Sequence, residues 1–324
     1  MPADDQPPSG PAIRFENVSK SYGAGEAVDN LDISVEQGEL VVLLGPSGCG
    51  KTTTLRMINR LVEPTSGTIY VNGSDVARQD LQHLRRGIGY VIQATGLFPH
   101  LTIEQNVEVV PKLLGWSKAK RRERARELLA LVGLEPASYA ERYPGELSGG
   151  EQQRVGVARA LAADPPIMLM DEPFGAVDPL TRDRLQGEFQ ELQRSLRKTV
   201  VFVTHDLDEA VRLADRICLM KDGGVEQFAT PEELLSRPAT EFAEKFVGPL
   251  RALKRLGRLR VGELMRPEPT ASEYVGAVGV DADLRTALAE LLQLGATSLA
   301  VVGTAGERLG ELRLADIVAL GDGA

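Results

Sequence analysis

Leu40-Val-Val-Leu-Leu44-Gly45-Pro-Ser-Gly-Cys-Gly50-Lys51-Thr52-Thr53 decides how this chain folds. Its first five residues are apolar without alternation, the mark of a strand covered on both faces in a parallel sheet. The next eight fit G-x-x-x-x-G-K-[ST], and a helix is expected over Thr52–Leu61. A glycine-rich loop in that setting closes its backbone N–H groups around phosphate oxygens, and the helix N-terminus adds a favourable field. In this motif Lys51 reaches the β- and γ-phosphates, and the Thr52 hydroxyl ligates Mg²⁺. Gly45, Ser47, Gly48, Gly50, Lys51, Thr52 and Thr53 are therefore candidate nucleotide contacts. Cys49, inside the same loop, reads as a small space-filler rather than a nucleophile.

Two further unbroken apolar runs, Ile167–Met170 and Val200–Val203, read as buried strands. The first ends in Asp171-Glu172. Neighbouring parallel strands place their C-terminal ends on one edge, where open α/β sheets bind ligands. There Asp171 would hold the metal through its water shell, and Glu172 would polarise an attacking water. A third string, Leu147-Ser-Gly-Gly-Glu-Gln-Gln-Arg154, contains a capping box, Ser148-x-x-Glu151, that starts a helix to Leu161. Gly149 and Gly150 exceed what capping needs, since glycine weakens a first turn. They suit close approach of a second anion, so Ser148, Gly149 and Gly150 form a second candidate phosphate site.

Outward from these strings, residues 1–12 read as a flexible tail. Ala12–Gly23 and Thr68–Gly73 look like antiparallel strands, the second closed by an Asn72-Gly73 turn. From about 94 to 150 the strand signal fades. Arg124–Val132 has helical periodicity with Gly133 at C′, which makes this region a helical insertion, and basic Lys118–Arg126 a solvated helix face. Thr230-Pro-Glu-Glu233 opens another helix through a capping box. Five basic residues within 251–260 mark a linker over 248–260. A small module, 261–324, follows: Asp283 caps a helix with the stripe Leu284, Ala287, Leu288, Leu291 and Leu292, then come strands Leu299–Val302 and Leu309–Leu312 and a short helix from Ala315.

The chain has 324 residues, with 37 basic and 46 acidic side chains and a net charge of −9. That balance excludes a general nucleic-acid surface. Two cysteines build no disulfide framework and suit a reducing compartment. The sequence has no apolar run near the ~20 residues that cross a bilayer, and its N-terminus lacks the basic-then-apolar form of a signal peptide. A cytosolic chain that does not itself span a membrane is expected.

These strings together resemble the ATP-binding cassette (ABC) family over about 13–247, with LSGGEQQR as its signature. The resemblance implies a P-loop NTPase (RecA-like) α/β core with an antiparallel β subdomain and a helical insertion. It implies ATP and Mg²⁺, and a homodimer in which Gly45–Thr53 of one subunit and Ser148–Gly150 of the other hold each ATP. It also assigns residues: Tyr22 to adenine stacking, Gln93 to the metal and attacking water, Asp178 to the loop crossing the dimer interface, and His205 to the γ-phosphate. Thr52, Gln93 and Asp171 would then serve the metal, and Glu172, His205 and Gln93 the catalysis. Gly175-Ala-Val-Asp178 departs from the family's usual Ser-Ala-Leu-Asp.

Ile92–Thr102, Asn106–Pro111 and Ala158–Pro179 look like the quaternary-amine importer branch (glycine betaine, choline, carnitine). Residues 261–320 are similar to a single cystathionine-β-synthase-type (CBS) module, with Arg313 where a hydroxyl residue is usual. The branch implies integral membrane permease subunits, reached through the segment Phe98–Leu101, and an extracellular or periplasmic substrate-binding protein. It places the chain peripherally on the cytoplasmic face of the inner membrane. An importer ATPase for an amino acid or other small solute, and a soluble non-transport cassette ATPase, are the alternatives.

Overall fold

A computed structural model of the chain describes residues 10–23, 25–92, 96–175, 179–248, 251–267 and 274–320. Gln93 and Asp178, both expected site residues, lie outside them. The chain divides into two compact units, Met1–Phe228 and Ala229–Ala324. That boundary falls upstream of the one expected near 247.

In chain order the strands to the boundary are β1 (Ile13–Tyr22), β2 (Gly25–Val35), β3 (Leu40–Leu44), β4 (Ser66–Val71), β5 (Ser74–Asp75), β6 (Ile88–Val91), β7 (Ile167–Asp171), β8 (Thr199–Thr204), β9 (Arg216–Lys221) and β10 (Gly224–Ala229). They form one sheet ordered β2-β1-β4-β5 and another ordered β10-β9-β3-β8-β7-β6. In the smaller sheet β1 runs antiparallel to β2 and β4. Asn72 (φ 49°) and Gly73 (φ 75°) both take the left-handed conformation that a tight hairpin turn requires.

In the larger sheet β3 runs parallel to β8 and β9, and β7 runs parallel to β6 and β8. Strands β3, β7 and β8 are buried throughout, as their unbroken apolar runs dictate. Leu44 pairs with Thr204 and Asp171 with Val203, so the residues that follow all three strands emerge on one edge. This register builds the site.

The helix after β3 spans Lys51–Ile58, shorter than expected. Arg60, at φ 52°, turns the chain out of helical conformation before Leu61. The insertion is helical, with Ile103–Leu113, Lys118–Leu131 and Pro136–Tyr139 leading to Gly149–Leu161. Its basic stretch is not simply a solvated face. Arg121 pairs with Glu108 at 2.5 Å, while Arg122 and Arg126 reach Glu104 at 2.9 and 2.7 Å. Glu104 and Glu108 stand one turn apart on the preceding helix and are buried, so each needs a cation from the helix packed against it.

The second unit holds β11 (Ala277–Gly279), β12 (Ser298–Val302) and β13 (Arg308–Arg313), ordered β11-β12-β13. Strand β12 is parallel to β11 and antiparallel to β13. Asp283 caps the helix Leu284–Leu294, accepting from the Thr286 amide at 2.9 Å. That helix buries Leu284, Ala287 and Leu291, while Leu292 is 68% exposed, so the buried stripe is narrower than the sequence suggested. The stretch read as a linker contains a helix, Arg251–Leu256, and Leu256 joins the core of this unit. Arg255 donates to Glu232 at 2.5 Å and to the Leu320 carbonyl at 3.0 Å. Basic residues spaced around a buried leucine make an amphipathic turn here, not a free tether.

Candidate nucleotide site

Loop 45–50 is shaped by glycines at positions where no side chain fits. At Gly45 (φ 147°) a Cβ would stand 2.2 Å from the Met220 carbonyl oxygen, and at Gly50 (φ 102°) it would stand 2.3 Å from that of Ala27. The backbone is thereby held close to its neighbours while the loop stays open to a ligand. Lys51, 5% exposed, donates from Nζ to the carbonyls of Gly45 (2.7 Å) and Pro46 (2.8 Å). Among the described residues no carboxylate pairs with it. A buried ammonium held only by neutral acceptors calls for an anion, and a phosphate chain supplies one.

At the second position of the helix, Thr52 donates from Oγ1 to Asp171 Oδ1 at 2.9 Å. Arg56 lies 3.5 Å from the other oxygen, Oδ2. Burial raises the Asp171 pKa, against the lowering effect of the Thr52 hydrogen bond and the Arg56 charge. Tyr90 joins the same group through a hydrogen bond with Arg56, and its own pKa is raised by burial. A hydroxyl and a carboxylate side by side are the hard oxygen donors that Mg²⁺ takes. The motif reading missed Arg56 and Tyr90, although Thr52 and Arg56 stand at the i, i+4 spacing that shares a helix face.

Glu172 sits just past β7 at φ 45°, an unfavoured conformation for a non-glycine residue. Its amide donates to the Val203 carbonyl at 3.0 Å, and its own carbonyl accepts from the Gly175 amide at 3.1 Å. Glycine at 175 thus keeps a backbone bond to Glu172 where the family's usual serine is replaced. Glu172 Oε1 lies 3.5 Å from Nδ1 of His205, an exposed residue just past β8. Asp206 fixes that end, accepting from the amides of Asp208 (2.8 Å) and Glu209 (3.3 Å) as the cap of the helix Leu207–Leu213. Thr204, Gly175, Arg182 and buried Glu209 line the same pocket as Glu172 and His205. Glu209 was not legible as a site residue; burial raises its pKa, and Gln186 donates to it at 2.9 Å.

Ser148, Gly149 and Gly150 begin a different helix, and none of the contacts described for them goes to 45–53. The capping box is present: the Glu151 amide donates to Ser148 Oγ at 3.4 Å, and the Ser148 amide to Glu151 Oε2 at 2.7 Å. Tyr139 donates to Glu151 Oε1 at 2.6 Å. These donors, Tyr139 foremost and then the Ser148 side chain, pull the Glu151 pKa from 4.5 to about 2. Ser148 and Gly149 are exposed, so the first turn of this helix is offered outward. Tyr22, at the end of β1, is also exposed, with Lys20 Nζ 4.9 Å from its ring centre.

A pH prediction follows from Glu151. Because its folded pKa is depressed, its share of stability is complete above the ordinary carboxylate range and fades as pH falls from about 4.5 toward 2. Tyr139→Phe should move the Glu151 carboxyl titration, followed by NMR, back toward 4.5. An unchanged titration would mean that Ser148 alone holds the charge.

In the second unit, Arg313 donates from Nε to buried Glu311 at 2.5 Å, and Tyr274 donates to the same carboxylate. Arg266 engages both oxygens of Asp316, at 2.9 and 2.5 Å.

A family model described as ABC transporter matches residues 28–175, a span that takes in the phosphate loop, the signature and Asp171-Glu172. Over 292 residues the chain is 53% identical to the glycine betaine/carnitine/choline transport ATP-binding protein OpuCA of Bacillus subtilis, covering 90% of this chain and 75% of that protein. The chain belongs to the ABC transporter family. It is 47% identical over 307 residues to the glycine betaine uptake system ATP-binding protein YehX of Escherichia coli, covering 94% of this chain and 99% of that one. Among solved structures it resembles a dimeric ATP-binding cassette in a post-hydrolysis state bound to ADP and Pi, with TM-score 0.61 and 38% identity, covering 68% of this chain and 98% of that one. As an ABC ATPase it binds ATP and couples its hydrolysis to transport.

Proposed function

We propose that this cassette powers import of a quaternary ammonium osmoprotectant such as glycine betaine, choline or carnitine. The observation that carries the solute class is 47–53% identity, over 90–94% of this chain, to relatives named for those solutes. Two copies pair head to tail. Gly45, Ser47, Gly48, Gly50, Lys51, Thr52 and Thr53 of one copy hold the phosphates, and Ser148, Gly149 and Gly150 of the other close over them. Tyr22 stacks on the adenine, and Asp178 lies in the loop between the copies.

Thr52 and Asp171 fit Mg²⁺ by their donor chemistry, with Gln93 as a third candidate; when bound, the ion neutralises charge on the transferred phosphoryl group. Glu172 orients and deprotonates the attacking water, and His205 donates to the γ-phosphate. Glu172 combines a left-handed backbone, at φ 45°, with a carboxylate oxygen 3.5 Å from His205, which keeps the two groups close enough to share one phosphate and one water.

No helix among the described residues is long and apolar enough to cross a membrane. In this reading the membrane path belongs to separate permease subunits, the cassette docks peripherally on their cytoplasmic face, and a substrate-binding protein delivers the solute. Reconstitution with those subunits tests the solute class. ATP-driven uptake of labelled glycine betaine, choline or carnitine is expected, with no uptake of an amino acid panel. The opposite preference would reassign the solute and leave the ATPase intact.

A further inference from the structure

A cavity of about 400 Å³, its open mouth included, lies where the helices Lys118–Leu131, Gly149–Leu161 and Pro179–Leu196 meet. Its wall is mostly apolar, with Leu131, Val157, Phe174, Leu185 and Phe189 contributing. Two polar side chains, neighbours on the helix that Ser148 begins, line it as well. Gln153 is 4% exposed, and its Nε2 has no hydrogen-bond partner. Nε of Arg154 is buried and has none either. The Arg154 guanidinium reaches the end of the helix Lys118–Leu131, where a Cβ at Gly133 would stand 3.3 Å from Nη1. The acid on the wall, Glu188, is exposed, so water screens it.

Folded proteins seldom leave a buried N–H unpaired, and two of them beside one cavity call for an acceptor inside it. Water is a poor answer, because it needs several polar partners and this wall is mostly carbon. A small inorganic anion would answer the N–H groups but leave the apolar wall uncovered. A carboxylate accepts from an amide and a guanidinium together and matches the charge of Arg154. An apolar chain behind it covers the aliphatic and phenyl surfaces, as in most small-molecule sites.

The inner wall of the cavity leads to the catalytic edge. Phe174 follows Glu172 by two residues, and its ring centre lies 6.2 Å from that of Phe189 and 6.0 Å from that of Phe202. Phe202 belongs to β8, just upstream of His205. One set of walls therefore joins the signature helix to the residues flanking Glu172 and His205.

We propose that this cavity is a regulatory site for an amphipathic carboxylate, an apolar chain of medium length bearing one carboxyl group. Filled, it ties the signature helix to Phe174 and stiffens the packing behind Glu172. Turnover then slows, because conformational steps limit many such cycles.

The test uses the full-length chain with decanoate as probe, below the concentration at which it forms micelles. Binding is followed by calorimetry and ATP turnover is measured on the same protein. Saturable binding is expected, about tenfold weaker for decanol, which keeps the chain but lacks the charge. Gln153→Leu should weaken decanoate binding by about tenfold without lowering the melting temperature of the unliganded protein, since leucine replaces an unpaired buried amide. Leu131, 46% exposed, tolerates substitution, and Leu131→Glu puts a competing carboxylate at the mouth. That variant should keep the basal turnover of the wild type, bind decanoate about tenfold more weakly, and escape the several-fold slowing that decanoate imposes on the wild type.

Absence of saturable binding overturns the proposal, as does equal affinity for decanol and decanoate. Unchanged decanoate affinity in both variants would place the probe elsewhere on the surface and overturn it too. A melting temperature lowered by Gln153→Leu would show that its amide already has a partner. Binding that leaves wild-type turnover unchanged, or that slows Leu131→Glu equally, removes the regulatory role.

Discussion

Glu172→Gln is expected to cut ATP turnover by about 10²–10⁴-fold, the usual worth of a positioned general base, while leaving ATP binding intact. Lys51, Thr52 and Asp171 keep their contacts in the variant, because none of the bonds described for them involves the Glu172 side chain. Glutamine preserves the size of the side chain and its reach toward His205 but takes no proton from water. Two ATP molecules would then hold the two copies closed, with no hydrolysis to release them. Sizing chromatography should show a dimer in ATP that vanishes in ADP. Wild-type turnover in the variant would remove Glu172 from its assigned role, and the strained backbone at that position would need another explanation.

Ser148→Arg should abolish turnover as completely while leaving ATP on the phosphate loop of the same chain. The reason is spatial: Ser148 is exposed at the start of its own helix and makes no described contact with 45–53. The substitution also removes a capping box, which costs about 1 kcal/mol of local stability, too little to unfold a domain. Mixing with Lys51→Ala decides the geometry. A mixed dimer has one site carrying both lesions and one carrying neither, so activity should reappear on mixing two inactive proteins. Failure to bind ATP in Ser148→Arg, or no recovery in the mixture, would place Ser148 and Lys51 in the same site.

The sequence was most legible where one cause dominates. Strand Leu40–Leu44 and the helix ending at Leu161 have the expected bounds because full burial and a capping box leave few alternatives. Thr52 meets Asp171 because the motif dictates the hydroxyl and the parallel register dictates the carboxylate. Legibility stopped where the cause is another element. Arg121, Arg122 and Arg126 looked like a solvated face, and only the acids on the neighbouring helix reveal their use. Leu292 fits the periodicity of its helix as well as Leu291 does, yet the packed sheet covers only one of them. Arg56, Tyr90 and Glu209 belong to no linear motif. The left-handed backbone at Glu172 has no sequence sign either, since glutamate is neither glycine nor one of the residues enriched in that conformation.

The placement of β3 between β8 and β9 has a consequence in time. During synthesis Leu44 leaves the ribosome with its loop and helix, but the β8 partner begins at Thr199, 155 residues later (199 − 44). At roughly 5–20 residues per second that is a wait of about 8–30 s. Throughout it one of the most apolar strands of the chain has neither neighbour, while β1, β2 and β4 can already pair. A nascent chain stalled before residue 199 should therefore be recognised by chaperones and unable to retain ATP, although its phosphate loop has been complete since residue 52.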